Sequence, residues 1–147
     1  MKKFTLYIVA MAILFLTFSC EDNQVNPLVN KQLIDTWLLF ERGYSPGAGY
    51  ITDQVSPDPA QTMSFQSDGQ FSSNIDGLQD FKYYSVIQDS TQEILALHEK
   101  VPTPADQELE NLVHSYAIEF TEDAVKLYFR WCFEGCHLAL RPIDQSN

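Results

Sequence analysis

Positive charge is scarce in this 147-residue chain, where 9 Lys and Arg face 20 Asp and Glu for a formal net charge of −11 at pH 7. Nucleic acid is therefore a poor partner, because its binding rests on Lys and Arg neutralising phosphates. Motifs of catalysis are missing as well. The sequence holds no H-E-x-x-H zinc helix, no G-x-S-x-G turn and no glycine-rich phosphate loop. His98, His114 and His137 are scattered, and the carboxylates Glu108, Glu110, Glu119, Glu122 and Asp123 fall in turn or helix-face contexts that suit a solvated surface. Paired acid and base work would need a pocket and a raised pKa. No catalytic residue, metal site or cofactor is expected.

Long apolar runs are missing too. The longest, Phe4 to Phe18, follows Lys2-Lys3 and stops short of the ~20 residues a bilayer-spanning helix needs. A basic start followed by such a run is the pattern of a secretory signal, with a permanent span as the alternative. The run ends at Cys20, beyond which Glu21-Asp22 begins a polar stretch. Leu16-Thr17-Phe18-Ser19-Cys20 resembles a bacterial lipobox. That resemblance implies cleavage before Cys20, thioether lipidation of its sulfur and acylation of the new amino terminus. Several acyl chains at one point anchor stably where one binds only marginally. With three cysteines in an exported chain one is left over, and lipidating Cys20 leaves an even pair. Glu21-Asp22 resembles a tag that some Gram-negative lineages use to send lipoproteins to the outer surface, unless it simply begins a tether. The organisation expected is a signal peptide over 1–19, a lipidated cysteine and tether over 20–30, and one domain over 31–147. The location expected is the cell envelope, as an outer-membrane lipoprotein. Without residues 1–19 the chain keeps 7 Lys and Arg against its 20 acidic residues, a balance of −13.

After the tether come short runs rich in aromatic and β-branched residues, divided by turn residues, which is an all-β pattern. Eight strands are expected, at 35–42, 62–66, 70–74, 81–88, 93–99, 115–121, 124–131 and 136–143. Asp68-Gly69 between the second and third is a strong hairpin signal. One segment departs from this rhythm. Thr103 offers an N-cap, Pro104 a first helical position and Asp106 an acidic first turn, and Leu109, Leu112, Val113 and Tyr116 recur at helical spacing. This predicts a short helix between strands five and six, although Val113 to Phe120 also alternates like a strand. Alternation points Leu95, Leu97, Tyr116, Ile118, Phe120, Val125, Leu127, Phe129, Leu138 and Leu140 inward; the run 81–88 fits either face.

Sequential hairpins of this number lose their edges by closing into a barrel. Trp37 on the first strand, the hairpin Phe65-Gln66-Ser67-Asp68-Gly69-Gln70-Phe71, Tyr84 on the fourth, and Cys132-Phe133-Glu134-Gly135-Cys136 before a last strand ending Leu140-Arg141-Pro142-Ile143 together resemble a lipocalin-like domain of bacterial lipoproteins. The resemblance implies an eight-stranded antiparallel up-and-down barrel, with Arg141 covering the face of Trp37 to close one end. Cys132 and Cys136 flank three residues including Gly135, as in a three-residue hairpin loop, and opposed positions there suit a disulfide. A metal site built from these thiols and His137 is the alternative, but it lacks a second ligand pair.

An eight-stranded barrel is either filled by side chains or holds one small ligand. Should there be a cavity, Leu97, Tyr116, Leu127 and Phe129 would line it, and Tyr84, His114 and Tyr116 would supply its polar groups. Three functional readings result: a lipid-anchored carrier or sensor of a small hydrophobic molecule; a surface adaptor that docks a protein or glycan through the long connection Gly43–Gln61; and, third, an enzyme on the same scaffold. Long connections in compact domains are commonly functional, and the lipocalin-like resemblance implies that this one lies over the barrel mouth, where it would act as a lid.

Overall fold

A computed structural model of the chain describes residues 28–47, 49–133 and 135–143. The expected signal peptide, Cys20 and most of the tether lie outside the described residues. The described residues form nine antiparallel strands: β1 (Asp35–Tyr44), β2 (Ile51–Gln54), β3 (Thr62–Phe65), β4 (Phe71–Ser73), β5 (Tyr83–Gln88), β6 (Glu93–His98), β7 (Ser115–Phe120), β8 (Val125–Phe129) and β9 (His137–Pro142). Their order is β4-β3-β1-β9-β8-β7-β6-β5, and β2 also pairs with β1. From β5 to β9 each strand pairs with the next in sequence, β3 pairs with β4, and β1 pairs with β2, β3 and β9.

β2 and β3 share one edge of β1. Tyr44 opposite Ile51 begins the first pairing, and Leu38 opposite Thr62 the second. The circumference therefore has eight positions. Its remaining seam, between β4 and β5, is bridged at Gln70 and Tyr83 and by backbone bonds from Phe71 N to Lys82 O (2.8 Å) and from Tyr84 N to Gly69 O (2.9 Å). The result is a nearly closed eight-position antiparallel barrel.

Period-two alternation decides the core. The inward residues of β6 to β9, with Trp37, Leu39, Met63, Phe65, Phe71 and Tyr84, form one buried cluster, against which Ile118, Phe120, Phe129 and Leu138 pack. On β5 it is Tyr84 and Val86 that join this cluster, while Ile87 packs outside. The base of the barrel is stoppered by the chain before β1. Leu33 is fully buried, its carbonyl accepts from Trp37 Nε1 (2.8 Å), and Val86 N donates to Leu28 O (2.5 Å). Val29 is buried as well, so the fold includes residues 28–30, which composition assigns to the tether.

Three further expectations are corrected. The connection after β1 is not structureless, because β2 lies within it. No α-helix forms among the described residues: 3₁₀ turns at Pro104–Gln107 and Leu109–Asn111 occupy the place of the helix. Thr103 N and Oγ1 both donate to Asp106 Oδ2 (2.7 Å each), so the start signal is real, but the backbone extends at Glu108. A helix would put Leu109, Leu112, Val113 and Tyr116 on one face. Instead Tyr116 belongs to β7 inside the barrel, while Leu109 and Leu112 cover Ile94 and Ala96 on its outer side. Finally, β8 stops at Phe129, so Cys132 and Cys136 are not opposed strand positions. They close a pair of turns beyond the sheet as a disulfide with Cα atoms 5.6 Å apart.

Candidate functional site

The end of the barrel opposite the Trp37 stopper is open, and a cavity of about 380 Å³ lies there, on the scale of small-molecule sites. Strand alternation builds its wall. Tyr116 on β7, Leu127 and Phe129 on β8 and Leu138 on β9 project inward at neighbouring registers, Ile118 opposite Leu127 and Tyr116 opposite Phe129. The Tyr116 and Phe129 rings pack with centroids 5.4 Å apart. From the connection after β4, Ile75 and Leu78 add apolar surface. Burial pushes the Tyr116 phenol above its usual range, so the group presents a neutral hydroxyl.

Arg42 is the exception in this wall. Trp37 and Leu39 point inward, so uninterrupted alternation would turn Glu41 inward and Arg42 out. The β1–β9 ladder skips a residue here, pairing Leu39 with Leu140 but Glu41 with Ala139. This β-bulge reverses the pleat. A bulge re-aims side chains in this way, and here it places Arg42 on the cavity wall and Glu41 outside. Arg42 Nη2 donates to Gln61 Oε1 (2.5 Å), while Nε is buried without a partner. Sequence reasoning missed Arg42. Its signal was a carboxylate falling on an inward register.

Outside the barrel the bulge assembles a second group. Glu41 Oε1 accepts from His137 Nε2 (3.0 Å), leaving His137 Nδ1 to accept from the Tyr50 hydroxyl. His137 is 5% exposed, and the Tyr50 ring stacks on it at 5.8 Å. The contact fastens the start of β2 to β9. Tyr128 lies against the other side of His137 and donates to Glu119 Oε2 (2.8 Å); desolvation, then this bond, pushes its phenol up to about 12.

The expected ligand-binding residues divide. His114, Tyr116, Leu127 and Phe129 border the cavity; Tyr84 and Leu97 do not. Tyr84 sits deeper, its ring edge-on to Phe65 and its hydroxyl bonded to Gln66 O (2.8 Å), a core position that raises its pKa by burial. Leu97 borders instead a groove of about 460 Å³ between β6 and the 99–114 segment, whose wall carries Glu99, Lys100, Asp106 and Asn111. That groove is larger but more polar than the cavity, and His114 borders both. Beside it Ser85 Oγ and His98 Nε2 are 2.9 Å apart; with Ser85 1% exposed, the pair is a buried polar contact and not an accessible nucleophile. Arg141 is corrected. It pairs with Leu38 and Trp37 pairs with Pro142, so the two side chains leave opposite faces, and the guanidinium lies over Phe40, 5.8 Å from its centroid.

Among the described residues no group of three His, Cys, Asp or Glu could hold a metal ion, and no helix is long and apolar enough to cross a membrane. No protein-family model matches the chain, and neither a curated protein nor a solved structure matches it.

Proposed function

We propose that this chain is a carrier or sensor that holds one small hydrophobic molecule in the mouth of a lipocalin-like barrel, tethered to the outer membrane of a Gram-negative envelope through acylated Cys20. The observation that supports it is the apolar cavity at the open end, walled by Tyr116, Leu127, Phe129 and Leu138 while the other end is stoppered. The β1–β2 hairpin stands beside that mouth, with Tyr44 reaching the cavity wall, and acts as its lid. The test is native mass spectrometry of the purified full chain, followed by denaturing extraction of any retained molecule. A retained apolar molecule in the wild type, lost from Leu127→Trp, is the expected result. If nothing is retained and no apolar probe binds, the carrier reading fails.

A second reading has its own support. Tyr44, Tyr50 and Ile51 on the same hairpin are 40–49% exposed, an aromatic edge suited to a protein or glycan partner. Under that reading, alanine at Tyr44 and Ile51 abolishes partner capture while filling the cavity does not.

A further inference from the structure

We infer that the molecule held in the mouth is an apolar acid, whose carboxylate is the missing counter-charge of Arg42. The inference rests on the carrier reading and adds the chemistry of one end of the ligand. Arg42 reaches the cavity only because the bulge between Leu39 and Glu41 reverses the pleat, so a permanently charged guanidinium stands in a wall that is mainly apolar, with Tyr116, Leu127, Phe129 and Leu138, and carries Asp76 at its exposed rim. Its one hydrogen-bond partner is the neutral amide of Gln61, and no ion pair forms with any Asp or Glu among the described residues. The side chain is half-buried, and one of its donors, Nε, is itself buried without an acceptor, which is costly until a partner supplies one.

No nearby carboxylate among the described residues forms an ion pair with Arg42. Asp53, the register partner of Arg42 across β1 and β2, accepts from the Tyr44 hydroxyl (3.1 Å). Asp76, the one carboxylate on the cavity wall, is exposed and accepts from Gln79 Nε2 (3.2 Å). Glu41 faces outward to His137. The chain as a whole is strongly acidic, which repels anions at a distance, but charges beyond roughly 8 Å in water are screened at physiological ionic strength. A cation at the edge of an apolar cavity is screened far less. The cavity therefore favours a molecule with an apolar body and a single anionic head, and a fork of guanidinium donors matches a planar carboxylate.

Decanoate and decanol separate the two levels of the argument, since they share a body and differ in the head. Equilibrium dialysis of the purified full chain against each is expected to show decanoate bound about tenfold more tightly than decanol. Arg42→Met is expected to bring decanoate down to the level of decanol. If Arg42→Met does not fold, Arg42→Gln, which removes the charge but keeps an amide donor for Gln61, is expected to level the two probes in the same way. Equal binding of both probes by the wild type, or a tenfold preference surviving in either variant, overturns the acid inference and leaves the carrier reading standing. Binding of neither probe overturns both.

Discussion

Gly43 faces His137 across the β1–β9 ladder, and a Cβ there would run into both the Tyr50 hydroxyl and the His137 imidazole. These are parts of one hydrogen-bonded group, so neither can shift without breaking it. We expect Gly43→Ala to cost roughly 1–3 kcal/mol in urea unfolding, as overpacking does. Stability unchanged within a few tenths would mean that Tyr50 is not held on His137 in solution. His98 makes a different expectation. Burial lowers its pKa from 6.5, with Asp106 opposing the shift, and Nε2 bonds to Ser85. The unfolded chain then binds the proton more readily than the folded one, so this contribution to stability is present above pH 6.5 and is lost as pH falls through the lowered value. Urea midpoints measured on either side of pH 6.5 are expected to fall on acidification, and less steeply in His98→Gln; parallel profiles would contradict it. The inward residues of β6 to β9 were legible because alternation is a strict period of two. Arg42 was not, because one extra residue in a ladder inverts every later assignment on that strand and has no local signature beyond the misplaced Glu41.

Among elements, the segment between β6 and β7 shows how tertiary demand overrides local propensity. Thr103, Pro104 and Asp106 make a sound helix start, yet Tyr116 is needed inside the barrel beside Leu95 and Phe129, and the chain must extend to deliver it. The helix period in the sequence mixed residues bound for two sides of one sheet. Leu112 is the buried centre of the outer cluster on Ile94 and Ala96. We expect Leu112→Ala to cost about 2–5 kcal/mol and to raise hydrogen exchange on β6 first; an even rise over all strands would deny that this segment is a local cover. β2 escaped notice for another reason. ITDQ is fully exposed and has no buried alternation to mark it as a strand. The disulfide beyond β8 closes a very short ring, so replacing Cys132 and Cys136 by Ser is expected to cost about 2 kcal/mol on the loop-entropy account. The test is urea unfolding with and without reductant.

For the whole molecule, turn signals and alternation pointed to a closed barrel, whereas its cavity could not be read from composition. Free volume is a small difference between the space a barrel encloses and the bulk that fills it, and aromatic residues serve equally as filling or as lining. Where the molecule resides belongs to this scale too. Under the proposed acylation, Cys20→Ser made in a Gram-negative host is expected to lose its acyl label and leave the membrane fraction. Membrane retention with an uncut amino terminus would favour a span through residues 4–18.

The pairing of β1 with β9 has a kinetic consequence. Along one edge Trp37 through Gly43 pair with His137 through Pro142, a separation of about a hundred residues along the chain, while the other edge pairs with the nearby β2 and β3. Contacts between such distant positions close late, because the entropy of joining a long loop must be overcome before they contribute. During synthesis β1 would leave the ribosome well before its β9 partner and wait until residues 137–142 had emerged. One edge of β1, with its apolar Leu38 and Phe40, stands open throughout that interval. The slow step in reaching the native state is thus built into the circular order of the strands, and the growing chain is most prone to aggregate just before its last strand arrives.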